Sequence, residues 1–288
     1  MRWSDEAAEA RAHDRPIVAL ETTLVAHGFP DDEGIGVAVE AEQRVREAGA
    51  VPATIGVLDG EIVIGLNADE LARFGPDARK AGPGDLAAAI AQRAVGATTV
   101  GGTLAVCRAA SISFMATGGI GGVHRGFPDP PDVSADLVQL ARTPALVVSS
   151  GIKSLLDVPA TIEALETLGV PVLGWRTDEL PLFYSARGGP PVPARVESAA
   201  EAAAIAREHL GLHAGGVLLA RPPDPSLDDV EPLVEAALAA ARDEGVTGPA
   251  VTPFVLAYLH RESAGETTAV NKRLILDNAT LAAEVATA

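Results

Sequence analysis

Short, almost wholly apolar runs punctuate this chain, each closed by turn residues, and most are followed by a stretch of helical spacing. "IVALETTLV" (17–25), "ALVVSS" (145–150), "VPVLGW" (170–175) and "GGVLLAR" (215–221) are the clearest. Runs of this length without polar alternation are what strands look like when both faces of a sheet are covered. Alternation of such strands with helices predicts a layered α/β fold. One stretch departs from the rhythm: "VPATIGVLDGEIVIGL" (51–66) reads as a hairpin, with Asp59 and Gly60 at its turn, so the sheet is not purely parallel.

Helices are expected over about 31–48, 85–95, 197–210 and 227–244, around "PATIEALETLG", and as a final pair over 252–262 and 266–286. Strands are expected at the entry to "TTVGGTLAVCRAASI", which continues as a small-residue helix, and in "SFMATGGIGGVHRG" before its glycine-rich loop. The segment 185–196, "SARGGPPVPARV", reads as a long turn, and no fixed-period repeat is present. The expected organisation is one domain over 1–288, with 1–15 as an N-terminal extension or helix.

At 288 residues and 48% hydrophobic content, with only 3% aromatic residues, the chain builds its core from small side chains. Its formal charge of -17 argues against an unaided grip on nucleic acid, which needs a basic stripe. A local pocket can still bind a small anion. Cys107 is the only cysteine, which excludes an intrachain disulfide and a thiolate metal cluster. The first residues carry acids and no apolar signal region, and no apolar run reaches membrane-spanning length, so a cytoplasmic protein without membrane contact is expected.

Among 22 basic residues only three are lysines, and one of them, Lys153, directly follows an apolar strand and a glycine turn. Arginine serves wherever a fixed charge is enough, whereas lysine can shed its proton and form an imine with an aldehyde carbon. Ligand sites in α/β folds lie beyond strand C-termini, which places Lys153 where chemistry is expected; a solvated loop lysine is the plain alternative. Glu21 interrupts "IVALE": buried, it would be a proton donor with a raised pKa, and otherwise a cap or an arginine partner.

In "DVSAD", Asp132 and Asp136 lie four apart and would share a helix face that could gather a hard cation; alternatively Asp132 or Ser134 caps the helix. "TGGIGGVHRG" (117–126) can bring backbone N–H groups to an anion, with His124 and Arg125 at its exit, but it matches neither a dinucleotide fingerprint nor a P-loop. Lys80 could meet a phosphate or serve only the surface. Asn271 and Asn278, seven apart, could both point into one cleft or both sit on a helix surface.

"ALETTLVAHGFP", "TGGIGGVHRG", "DVSADL", "GIKSLLDVPATIEALETLGVPVLGW", "TPFVLAYL" and "NKRLILDNA" occur in an order that resembles the pseudouridine-5'-phosphate glycosidase family, within the indigoidine synthase A-like superfamily, over about 17–285. The resemblance implies a three-layer α/β/α fold with a mixed central sheet. It also implies reversible cleavage of the C–C bond of pseudouridine 5'-phosphate to uracil and ribose 5-phosphate through a lysine imine. By the same resemblance Lys153 is the nucleophile and Glu21 the proton donor. Asp132 would bind Mn2+ or Mg2+, one ion per subunit, while Lys80, Val100, His124, Ser134, Ala135, Asp136 and Asn271 would contact substrate. A homotrimer is implied as well.

The chain departs from the family's usual strings at "KAGPGD", which lacks two arginines, at "LLARPPD" where Asn-Pro-Ile-Pro is usual, at "GPAVTPF" where a Gly-Lys pair is common, and at "LDNA" where a pair of asparagines is usual. Alternative expectations are a C-glycosidase for non-phosphorylated or modified C-nucleosides, a lysine-dependent aldolase-like enzyme, and a non-catalytic sugar-phosphate binding protein.

Overall fold

The apolar runs become the strands of a mixed sheet in the computed structural model, which describes residues 1–30, 33–129, 131–212, 215–227 and 229–288. In chain order, β1 (Arg2–Trp3) and α1 (Asp5–Ala12) precede β2 (Ile17–Glu21), α2 (Thr23–His27) and α3 (Glu33–Glu47). The hairpin is β3 (Val51–Leu58) and β4 (Glu61–Ile64), followed by α4 (Ala68–Leu71), β5 (Arg79–Ala81), α5 (Leu86–Ala91) and β6 (Gly96–Thr98). Next come α6 (Val100–Ala110), β7 (Phe114–Ala116), α7 (Ala135–Arg142), β8 (Leu146–Ser149), α8 (Val158–Thr167), β9 (Val172–Trp175) and β10 (Ala194–Val196). The chain closes with α9 (Ala199–Leu212), β11 (Val217–Ala220), α10 (Glu231–Asp243), α11 (Val251–Glu262) and α12 (Glu266–Thr287).

The main path of the sheet runs β1-β4-β3-β2-β7-β8-β11-β9-β10, with β6 joined to β3 and β5 to β6. Pairing is parallel except where β3 meets β4 and β6, so the sheet is mixed as expected. Asp59 and Gly60 turn the hairpin with φ of 53° and 84°, the left-handed pair that a tight two-residue turn requires. One outer layer holds α3 and α9 packed on α12, and the other holds α6, α7 and α8. Central β8 is buried along its whole length between β7 and β11, which is why its sequence is a plain Leu-Val-Val run. Burial of each such side chain is worth about 1.5–3 kcal/mol.

Several expectations change. The strand expected over 17–25 stops at Glu21, because the Thr22 hydroxyl donates to the Ile55 carbonyl (2.8 Å) and turns the chain into α2. The helix expected over 85–95 spans only Leu86–Ala91, with Asp85 at its N-cap. The helix expected from residue 31 is described from Glu33; Asp31 and Asp32 lie outside the described residues. The turn expected over 185–196 ends in β10, and the N-terminal extension begins with β1; both are edge strands of two or three residues. Asp132 does not share a helix face with Asp136, since α7 begins at Ala135 with Ser134 as its N-cap.

Strand register sets the working edge of the sheet. Glu21 faces Ile55 at the end of β2, Leu20 is level with Ala116, and Ala116 with Val148. Glu21, Thr117 and Ser149 therefore emerge side by side at the C-terminal ends of three adjacent strands, where open α/β sheets place their ligands.

Candidate active site

A cavity of about 370 Å³ opens at this edge. Ten of the residues singled out from the sequence line it: Glu21, Lys80, Val100, His124, Asp132, Ser134, Ala135, Asp136, Lys153 and Asn271. Asn278 does not; it is fully buried behind the cavity, so the two asparagines do not share a cleft.

Glu21 is buried, and its carboxyl accepts a short hydrogen bond from the Thr117 hydroxyl (2.5 Å). Burial pushes its pKa above the ordinary carboxylate range, against the opposing pull of Lys153 and of the Thr117 hydroxyl. Lys153 follows Gly151, whose φ of +78° and whose approach to the Pro181 carbonyl leave no room for a side chain: a Cβ would lie 2.0 Å from that oxygen. The Lys153 N–H donates to the Ile120 carbonyl (3.2 Å), tying the lysine loop to the glycine-rich loop. Arg125, at the exit of that loop, braces the same segment from outside, its guanidinium donating to Ser154 O (2.7 Å) and pairing with Glu231 (2.6 Å).

Asp136 is held between two backbone donors. Its buried carboxylate accepts from the Gly101 N–H (2.8 Å) at the start of α6 and from the Gly121 N–H (2.9 Å) of the glycine-rich loop. Such charge-assisted bonds are worth about 1.5–3 kcal/mol each. Gly121 permits the approach, since a Cβ there would lie 2.4 Å from Ser134 Oγ and 2.8 Å from Asp136 Oδ2. Lys80, on β5, has its pKa lowered by burial and then by the nearby Lys153 charge. His124 is shifted down by burial, with Asp132 pulling the other way; its Nδ1 is 3.7 Å from Asp132 Oδ2.

Residues that the sequence did not mark also line the cavity. Thr117 holds Glu21, and Thr99 caps α6 by accepting from Gly102 N (3.1 Å). His27 donates from Nε2 to the Ala78 carbonyl (3.1 Å), and burial lowers its pKa. Leu24, Pro253, Leu256 and Ile275 add apolar side chains to its lining.

Among the described residues no group of three or more His, Cys, Asp or Glu side chains converges as a metal site. Asp132 and Asp85 also line the cavity, and Asp132, the half-exposed carboxylate beside His124, could lend an oxygen to a hard cation. That donor set suits an ion that keeps most of its water, as Mg2+ does with one or two carboxylates.

A lysine amine, a buried protonatable carboxyl and a backbone-clamped aspartate at the C-terminal edge of a mixed sheet define a class: α/β proteins equipped for covalent carbonyl chemistry. The family described as "Indigoidine synthase A like protein" matches residues 6–288, and the chain belongs to it. The chain is similar to a pseudouridine-5'-phosphate glycosidase of Salinispora tropica, 50% identical over 100% of this chain and 91% of the relative. A second relative of that name, from Chloroflexus aurantiacus, is 48% identical over 99% and 97%. Among solved structures it is similar to the prealnumycin C-glycosynthase AlnA in complex with ribulose 5-phosphate, with a TM-score of 0.89, 40% identity, and coverage of 99% of this chain and 95% of that one. An indigoidine synthase A-like protein of Thermotoga maritima superposes with a TM-score of 0.86 at 38% identity, covering 94% and 92%.

Proposed function

We propose that this protein is an enzyme that reversibly cleaves the C–C glycosidic bond of pseudouridine 5'-phosphate, giving uracil and ribose 5-phosphate. The observation that carries the reading is the joint placement of Lys153 and a buried, Thr117-bonded Glu21 in one cavity of a chain half identical to glycosidases of that name.

The chemistry explains the residue types. Uracil is bonded through carbon, a poorer leaving group than nitrogen. The Lys153 amine attacks C1', the C1'–O4' bond breaks, and O4' takes a proton from Glu21. The new C1'–N nitrogen returns one proton to Glu21, and its lone pair then forms C1'=N as the C1'–C5 electrons pass to uracil, whose C5 takes that proton from Glu21. Water hydrolyses the imine, restoring the amine and releasing ribose 5-phosphate. A glutamate with raised pKa can give and regain the proton at each stage. Asp136, fixed by two backbone N–H groups, is suited to hold a hydroxyl of the opened sugar for reclosure. A divalent cation at Asp132, Mn2+ or Mg2+, would supply charge stabilisation for substrate oxygens.

A narrower reading is favoured by the cavity's charges: two lysines and no arginine line it among the described residues, so no guanidinium fork fixes a 5'-phosphate. Weak discrimination between pseudouridine and its 5'-phosphate is the consequence. Two measurements test the function. Borohydride in the presence of ribose 5-phosphate should add one reduced pentose phosphate to Lys153, and uracil should be released from pseudouridine 5'-phosphate. Absence of both sinks the reading, and a strong preference for the phosphorylated substrate sinks the narrower one.

A further inference from the structure

Asn278 lies within α12, fully buried and away from the cavity, yet it touches the loops that carry the chemistry. Its side-chain N–H groups donate to Thr117 O (2.9 Å), Gly118 O (3.4 Å) and Ser150 Oγ (3.2 Å). The Ser150 hydroxyl is 3.5 Å from Asn278 Oδ1, at the outer limit for a return bond. All these partners stand at the C-terminal ends of β7 and β8.

Those two ends are already joined to each other. Ser150 N donates to Gly118 O (2.8 Å), Ile120 N to Gly151 O (3.1 Å) and Lys153 N to Ile120 O (3.2 Å). They form one backbone unit from Thr117 to Lys153, and Asn278 fastens that unit to the helix layer. Thr117 is the residue on which this matters, because its carbonyl is taken by Asn278 while its hydroxyl donates to Glu21. A peptide fixed from behind thus aims the hydroxyl in front. Asparagine suits the place because a buried amide is tolerated only when paired, and here it offers donors to carbonyl oxygens that an apolar residue would leave unsatisfied.

We propose that Asn278 is a positioning residue for the reaction, fixing the Thr117 peptide and, through the Thr117 hydroxyl, the Glu21 carboxyl beside the Lys153 loop. The proposal rests on the roles given above to Glu21 and Lys153. The groups facing Glu21 are the Thr117 hydroxyl on β7's loop, Lys153 on β8's loop, Asp136 on α7 and Lys80 on β5. Asn278 bonds the Thr117 peptide itself but reaches the lysine loop only at Ser150, three residues before Lys153, so its loss acts on Glu21 more than on the lysine.

The test compares Asn278→Leu with wild type in three readouts. Turnover of pseudouridine 5'-phosphate should fall about 10- to 100-fold, the scale of a modest misplacement of a reacting group. Borohydride capture of ribose 5-phosphate on Lys153, which starts from the open-chain aldehyde, should persist at the wild-type yield. The apparent pKa of the limb of the kcat profile that falls as pH rises, along which protonated Glu21 is lost, should move upward, because the Thr117 bond that favours the ionised carboxyl is loosened. Unchanged turnover and profile overturn the proposal. So does a parallel loss of turnover and trapping with no movement of the profile, which marks general damage. If Asn278→Leu does not fold, Asn278→Ser, smaller and still polar, is read in the same way. Failure of wild type itself to trap the sugar points instead to the functional reading.

Discussion

At the scale of single residues, the site depends on what each side chain can do that its nearest substitute cannot. Arginine in place of Lys153 keeps the charge but cannot form an imine. Lys153→Arg should therefore abolish borohydride trapping and lower turnover by about 10³-fold or more, as expected for loss of a covalent nucleophile. Glu21 makes a second prediction with a definite sign. Its folded-state pKa is raised, so its contribution to stability is fully present below the unfolded-state value and is lost as pH rises through the folded value. Glu21→Gln should consequently raise Tm at pH 8, leave it nearly unchanged at pH 4, and remove turnover at both; thermal unfolding followed by circular dichroism reads the first two. A Tm gain that is equal at both pH values would show that ionisation of Glu21 is not what the fold opposes. Lys153 and Glu21 were legible in the sequence for a physical reason, one being a rare lysine after a strand and the other an acid inside an apolar run. Thr117 was not, and Asn278 was legible only as a possible cleft asparagine, because they act through partners 96 and 161 residues away, the latter a backbone carbonyl that no side-chain pattern records.

At the scale of elements, the long buried strands and the hairpin were readable because burial on both faces and a left-handed Asp-Gly turn each leave a local signature. Strands β1, β5 and β10 have two or three residues, too few to show any period, and they exist because a neighbouring strand offers them an edge. Two of the chain's departures from the usual family strings also meet in space. Arg221, just after β11, pairs with Asp277 on α12 at 3.1 Å, both side chains largely buried, and Asp277 also receives Arg273 (3.1 Å). The Asp277 carboxylate thus receives two guanidinium groups, and its pair with Arg221 joins the sheet to the helix layer. A double-mutant cycle with Arg221→Met and Asp277→Leu should show each single change costing about 1–3 kcal/mol and a coupling of about 1–2 kcal/mol by urea denaturation. Additive effects would mean that the two departures are independent. The glycine-rich loop supplies a sharper test of close packing. Gly121→Ala puts a Cβ 2.4 Å from Ser134 Oγ, so the loop and the Asp136 clamp cannot both keep their places. Turnover should fall at least about 100-fold, with KM for the sugar phosphate rising as the clamp is lost.

At the scale of the whole molecule, the acidic balance that argued against nucleic acid also bears on the reaction. A protein of formal charge -17 repels an approaching phosphate dianion over distances longer than the cavity, while Lys80 and Lys153 attract it only once it is close. The range over which repulsion acts is set by salt, about 30 Å at 0.01 M and about 8 Å at 0.15 M. At low ionic strength the net field dominates the encounter; at physiological ionic strength the field is confined near the surface and the local cations decide. Composition made the sign of the far field legible, but not the placement of two of the three lysines in one cavity, since that depends on β5 and the β8 loop being brought together by the sheet. The expected outcome is that kcat/KM for pseudouridine 5'-phosphate rises about 2- to 5-fold as salt is raised from 0.01 to 0.15 M. Over the same range the value for uncharged pseudouridine stays level. A fall with salt for the phosphorylated substrate would show that the lysines govern the approach as well as the contact, and that the acidic surface is arranged away from the cavity mouth.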